Sequence, residues 1–191
     1  MRVALVLAAG AGRRFGGGKL SAMFRGEPLI RHAIRAARAA PVERVIVVCP
    51  DGLDLGDWPG APPVEALRIA SDGLSASLRA GLAAAGEADG AFVFLGDMPL
   101  VPHDAAGRLA DLIGESYAAI PRHAGQRGHP VLFAAHAFAD LARLSGDRGA
   151  GALLAGRDDL AFLDEAGEGC LIDVDRAQDL RRLEERGECR P

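Results

Sequence analysis

Apolar residues along the chain fall into two kinds of run. Short unbroken stretches at Val3–Leu7, Glu43–Cys49, Gly90–Leu95 and Tyr117–Ile120 predict strands covered on both faces, because such strands have no polar side. Between them the spacing lengthens to that of a helix. Pro28–Ala40 is apolar at 29, 30, 33, 34 and 37, with Pro28 at a favoured helix start, and Arg31, Arg35 and Arg38 read as a solvated opposite face. Further helices are predicted from Gly73, over His103–Ile113 and from Asp175 to about Arg186, with short strands at Leu67–Ala70 and Gly169–Ile172. Residues 52–66 and 121–128 read as loops, the first with Trp58 as a local anchor. Strands alternating with helices predict an α/β fold, a single doubly wound, mostly parallel sheet with helices on both faces. The expected domain spans residues 1–186, followed by a frayed tail over 187–191.

Composition narrows what such a domain can bind. Apolar residues make up 49% of the chain and aromatics 5%, with a net charge of −4, so there is little to stack on bases and no basic face for a polyanion. Nucleic acid is thus excluded as a partner. No run approaches the ~18 apolar residues of a membrane span, and no leader precedes the first strand. Cys49, Cys170 and Cys189 are too far apart for a metal knuckle, and a reducing cytoplasm suits them.

The chemistry concentrates after the first strand. Ala8, Ala9, Gly10, Gly12 and Gly16–Gly18 keep the loop free of bulk, while Arg13, Arg14 and Lys19 make it basic. Backbone N–H groups and cations together suit a polyphosphate. Two common phosphate motifs are ruled out: a P-loop would need Gly at 13 and Ser or Thr at 20, where Arg13 and Leu20 stand, and a dinucleotide fingerprint would need Gly in place of Phe15. A carboxylate, Asp97, follows the strand ending at Leu95, between Gly96 and Met98-Pro99, and is well placed for a divalent cation on a triphosphate. The helix start at Gly73-Leu74-Ser75-Ala76-Ser77 offers hydroxyls for a base edge or a sugar, or simply for capping.

Leu7-Ala8-Ala9-Gly10, then Arg14, Gly16, Gly17 and Lys19, followed by Gly26-Glu27-Pro28-Leu29-Ile30, resemble the nucleotidyltransferases that activate sugars, methylerythritol phosphate and molybdopterin. They are most similar to the molybdenum cofactor cytidylyltransferases and their guanylyltransferase relatives. Gly18 stands where that group has Pro. Position 151 is Gly where Arg is usual, and Arg176, Ala177 and Gln178 replace Thr-Pro-Glu after Asp175. The resemblance implies transfer of CMP from CTP to a small phosphorylated acceptor, molybdopterin above others, with Mg²⁺ and release of pyrophosphate. It assigns catalysis to Arg14, Lys19 and Asp97, and the metal to Asp97 and Asp173, with Asp175 either at the metal or capping the last helix. Nucleotide contacts fall to Leu7, Ala8, Ala9, Gly10, Gly12, Gly73, Ser75 and Ser77, and acceptor contacts to Gly128, His129 and Asp147. A molybdoenzyme or its maturation chaperone is the implied delivery partner. His129, without an acid or cysteine beside it, reads as structural. Two other readings of the same loop are a non-catalytic nucleotide-binding regulatory domain and a dinucleotide-dependent oxidoreductase, the latter opposed by Phe15.

Overall fold

The computed structural model describes residues 1–188 except Ala11, Ser71, Asp72, Asp147 and Arg148, and leaves the side chains of Arg13 and residues 186–188 undescribed. The principal strands are β1 (Arg2–Leu7), β4 (Arg44–Cys49), β5 (Val64–Arg68), β6 (Gly90–Leu95), β7 (Ala118–His123), β9 (Val131–Ala134) and β10 (Leu160–Asp164). Met23–Phe24 (β2) and Glu27–Pro28 (β3) form a small hairpin, and Gln126–Arg127 (β8) pairs with β7. The main sheet runs β10-β7-β9-β6-β1-β4-β5, parallel except for β9, which inserts antiparallel between β6 and β7, and for β8. This is the doubly wound, mostly parallel layer predicted from the sequence.

Alternate residues of the central strands point to opposite sides, so each side chain set meets its own helices. Ala4 and Val6 face Ile30, Ala33 and Ile34 of α1 (Leu29–Arg38) and Leu109 of α3 (Ala105–Leu112). Val3, Leu5 and Leu7 face Leu78 and Leu82 of α2 (Leu74–Ala85), together with Leu141 of α4 (Phe138–Leu141) and Leu154 of α5 (Gly151–Leu154). A third cluster joins Phe24 and Leu29 to Val174, Leu180 and Leu183, which docks the last helix, α6 (Ala177–Glu188), beside the hairpin.

Three expectations change. The apolar stretch Gly169–Ile172 is not a strand: Glu168–Cys170 forms a 3₁₀ turn, and the closing strand is β10. The turn is held by the His129 N–H, which donates to the Cys170 carbonyl at 2.9 Å. It packs so closely that a Cβ on Gly169 would lie 2.2 Å from the Leu100 carbonyl oxygen. Second, the strand expected at Leu67–Ala70 is β5, beginning three residues earlier. Both β5 and β10 are edge strands with partly exposed side chains, so neither shows the unbroken apolar run of a central strand. Third, Arg35, exposed as expected, and Arg38, half-buried, are both paired. Arg35 forks onto Glu27, with Nη2 donating to Oε2 at 2.7 Å, which holds the Glu27 carboxyl below the usual glutamate range. Arg38 donates to the carbonyls of Pro59, Gly60, Ala61 and Pro62 and lies over the Trp58 ring. The loop over 52–66 is thereby fastened to α1, with Trp58 Nε1 donating to the Leu55 carbonyl at 2.8 Å. Of the tail expected from Gly187, residues 189–191 lie outside the described residues, and α6 continues to Glu188.

Candidate nucleotide and metal site

The site is assembled where β1 and β6 end side by side. The Gly96 N–H donates to the Leu7 carbonyl at 2.9 Å, and a Cβ on Gly96 would come within 2.9 Å of Ile30 Cδ1 and 3.2 Å of Ala8 Cβ. A residue larger than glycine would have to displace the Ile30 side chain and crowd Ala8 and the Leu7 carbonyl, so Gly96 suits the close approach of the two strand ends that sets Asp97 beside the basic loop. The loop itself rises through Gly16, Gly17 and Gly18 at positive φ. Gly18, at φ +64°, is in a conformation that proline, fixed near −65°, cannot adopt, so the glycine takes the loop along a path closed to a Pro-containing relative.

The distant end of the chain supplies the other acids. The Val174 N–H donates to the Asp97 carbonyl at 3.0 Å, and the Val174 side chain is fully buried beside Phe24 and Leu29. Pinning Val174 in this way carries Asp173 and Asp175 to Asp97. Each of the three residues offers a carboxylate oxygen within 4.8 Å of the others. Lys19 Nζ donates to Asp97 Oδ2 at 2.6 Å and lies 3.7 Å from Asp175 Oδ1, while Arg14 Nη1 donates to Asp175 Oδ2 at 3.0 Å. Partial desolvation of Asp173, then the charges of Asp97 and Asp175, push its carboxyl above the usual aspartate range. Three carboxylates with excess negative charge are the hard-oxygen donor set of Mg²⁺, Ca²⁺ or Mn²⁺.

Asp175 therefore does not cap α6. That role falls to Asp179, whose Oδ2 accepts from the backbone N–H groups of Arg176, at 2.7 Å, and Asp175, at 3.2 Å. An acid three residues into a helix reaching back to the residue before it is half of a capping box. The signal was present in the sequence as Asp179, three residues after Arg176.

A cleft of about 240 Å³ opens beside Lys19 and Asp97. Of the predicted nucleotide contacts, Leu7, Ala8, Ala9, Gly10, Gly12, Lys19 and Ser77 line it, joined by Leu20, Leu74 and Leu95, while Arg14 does not. Ser75 faces elsewhere. Its buried hydroxyl donates to the Gly146 carbonyl and ties α2 to the following loop, while Ser77 Oγ donates to the Gly73 carbonyl at 3.2 Å within the first turn. Gly73 sits at the helix start and does not line the cleft. A second cavity of about 250 Å³ adjoins the first across Leu7, Leu74 and Leu95. It takes in Gly128 and His129 of the predicted acceptor set among mostly apolar side chains, including Leu78, Val93 and Phe133. Burial pulls the His129 imidazole down to about 4, only partly opposed by the Asp97 charge, so the ring is neutral near pH 7. Asp147 lies outside the described residues. Cys49 and Cys170 are buried, unpaired thiols raised above the usual range by burial, as befits core residues.

Residues 4–162 match the family described as the MobA-like NTP transferase domain. Among curated proteins, the purine catabolism protein PucB of Bacillus subtilis is 30% identical over 164 residues, covering 80% of each chain. A 2-C-methyl-D-erythritol 4-phosphate cytidylyltransferase of Laribacter hongkongensis is 37% identical over 119 residues, 58% of this chain, which spans about half, 52%, of that relative. Rv0371c of Mycobacterium tuberculosis superposes with a TM-score of 0.82 at 30% identity, covering 96% of this chain and 97% of its own, and it has also been solved in complex with manganese. A molybdopterin-guanine dinucleotide biosynthesis protein A of Archaeoglobus fulgidus shares the fold, with a TM-score of 0.69 at 23% identity over 98% of this chain and 99% of its own.

Proposed function

The chain belongs to the MobA-like NTP transferase family, and from that premise we propose that it transfers CMP from CTP to a small phosphorylated acceptor, with molybdopterin as the favoured acceptor and Mg²⁺ as the metal. The observation that carries this reading is the convergence of Lys19, Arg14 and three carboxylates at the ends of β1 and β6, with Lys19 and Asp97 lining the cleft. In the proposed reaction an acceptor phosphate oxygen attacks the α-phosphorus as the bond to pyrophosphate breaks. Such transfer needs alignment and charge neutralisation, and no nucleophilic side chain.

Asp97, Asp173 and Asp175 would hold the cation, which supplies charge neutralisation on the phosphates when bound. Lys19 and Arg14, now committed to Asp97 and Asp175, would exchange these partners for phosphate oxygens. The backbone at Ala8, Ala9, Gly10 and Gly12 gives the nucleotide room to approach. Preference for CTP is supported by the cytidylyltransferase named among the relatives, with Ser77 the hydroxyl of the Gly73–Ser77 segment that lines the cleft. We place the reaction in the cytoplasm, with a molybdoenzyme or its maturation chaperone taking the product.

Pyrophosphate release from CTP, GTP, ATP and UTP, each with molybdopterin or an alditol phosphate, tests the reading. Fastest release is expected from CTP with molybdopterin. Preference for GTP would replace the cytidylyl assignment with a guanylyl one. Preference for the alditol phosphate would replace the acceptor. Tight triphosphate binding with no release in any combination would make the protein a nucleotide-binding regulatory domain.

A further inference from the structure

Of the three residues shared by the nucleotide cleft and the second cavity, two are fixed. Leu7 and Leu95 end the central strands β1 and β6, paired with each other in the sheet, and Leu7 is only 7% exposed. Leu74 differs. It is the first residue of α2 and an apolar side chain left 40% exposed, an unusual place for a leucine with a core beneath it. Its other neighbour is the backbone of Gly149: a Cβ added there would lie 2.8 Å from Leu74 Cδ2, and Gly149 is not in a positive-φ conformation that would itself demand glycine. The helix start and this loop are tied together on the other side by the Ser75–Gly146 bond and by Arg79 Nη1, which donates to the Leu144 carbonyl at 2.5 Å. The backbones on both sides of Leu74 are thus held, and its side chain is the adjustable part of the wall.

We infer that Leu74, backed by Gly149, is a specificity-determining residue whose side chain sets the width of the passage between the nucleotide cleft and the second cavity, selecting acceptors by the bulk of the group next to their phosphate. This rests on the nucleotidyl-transfer reading, in which the two substrates must meet at the α-phosphorus and an acceptor body in the second cavity must pass its phosphate across this wall. The acceptor part it suits is an uncharged ring-bearing body. Hydroxyls of an open-chain polyol would lose water against Leu78, Val93, Val131, Phe133 and Leu154, with Arg127, already donating to the Leu154 carbonyl, and His129 as the polar side chains on that wall.

Two substitutions move the wall in opposite directions. Leu74→Ala removes the partition. Gly149→Ala places a methyl where Leu74 Cδ2 now rests, a clash with the end of a flexible side chain that is relieved by swinging the leucine into the passage. The probe is 1-naphthyl phosphate, a fluorescent ring-bearing phosphomonoester, titrated into the full chain saturated with CTP and Mg²⁺. Leu74→Ala is expected to lower its Kd at least fivefold, Gly149→Ala to raise it at least fivefold, and Leu74→Met to stay within twofold of wild type. CTP affinity, measured separately by calorimetry, is expected to change less than twofold in Gly149→Ala, because Gly149 lines the second cavity and not the nucleotide cleft. A merely structural role for Leu74 would weaken both ligands together or neither, and either result overturns the inference. So does a shift of the same sign in both alanine variants, or failure of the wild type to bind the probe at millimolar concentration. Opposite shifts in a protein that turns over no triphosphate would retain the wall and remove the transfer reading instead.

Discussion

Replacing Asp97 by Asn separates the metal-binding part of the site from the fold around it. Asn keeps the shape and removes one of three negative charges whose oxygens lie within 4.8 Å of one another. At an effective dielectric of ~20, two like charges ~4.8 Å apart repel by about 3.5 kcal/mol, so the substitution relieves two such terms. Against that it loses the attraction of Lys19 at 2.6 Å, in a pair whose side chains are 12% and 22% exposed. On the same footing this term is about 6.4 kcal/mol, against about 7 kcal/mol for the two repulsions. The opposing terms nearly cancel, and the metal-free variant is expected to melt within ~4 °C of wild type, or slightly above it. Divalent cation separates the two proteins. At a hundredfold excess over Kd, wild type gains about 2.7 kcal/mol, or roughly 5–11 °C for a domain of this size. The Asp97→Asn variant is expected to gain less than a third of that and to lose turnover at least a hundredfold. The assay is a thermal melt in EDTA and in a Mg²⁺ or Mn²⁺ series, alongside pyrophosphate release. An equal metal-dependent rise in both proteins would refute the placement of the cation, and so would a metal-free melting point lowered by more than 10 °C.

Replacing Arg14 or Lys19 by Ala is expected to cost about 2.7–4 kcal/mol of transition-state stabilisation, as for loss of one preorganised donor. A fall in kcat/KM below threefold for both would remove them from the phosphates. Asp175→Asn is expected to raise the Mg²⁺ concentration for half-maximal activity with little change in Tm, and Asp179→Ala to cost about 1 kcal/mol of stability with activity retained. Chemical denaturation and metal titration of the two variants check this, and the reverse pattern would return the cap to Asp175. Glu27, lowered in the fold chiefly by its bond to Arg35, stabilises the protein above the unfolded-state value near 4.5, and that contribution is lost as pH falls through the lower folded value. Glu27→Gln should therefore reduce stability at pH 7 and flatten its decline below about pH 4.5; parallel acid limbs for wild type and variant would contradict the pairing.

What the sequence disclosed, and what it hid, follows from the range of the forces involved. Val3–Leu7, Arg44–Cys49 and Gly90–Leu95 were visible because both faces of a central strand are apolar, and the Gly96-Asp97 pair was visible because it follows one of them directly. The edge strands Val64–Arg68 and Leu160–Asp164 carry a mixed pattern, so only the end of the first was legible, as the strand expected at Leu67–Ala70. Gly169–Ile172 looked like a strand because a run of apolar residues beside a tightly packed turn is indistinguishable from one beside a sheet. Asp175 was ambiguous for another reason. A carboxylate just before a helix is a natural cap, and only the backbone bond from Val174 to Asp97, formed by residues 77 positions apart in the chain, turns it toward Lys19 and Arg14. Ser75 shows the converse: a hydroxyl at a helix start looks available to a ligand until a distant carbonyl, Gly146, takes it.

That same Val174 bond has a consequence for the order in which the protein is made. Among the described residues all ten strands lie before residue 165, so a growing polypeptide can complete its sheet and place Asp97 at the rim well before Asp173 and Asp175 have been synthesised. Until the last segment arrives, Phe24 and Leu29 have no Val174, Leu180 or Leu183 to cover them, and the rim holds one acid in place of three. Translation thus delivers the scaffold first and the full carboxylate set last. A chain cut short after the sheet would be a folded layer unable to assemble its three acids, and one whose exposed Phe24 and Leu29 mark it as unfinished.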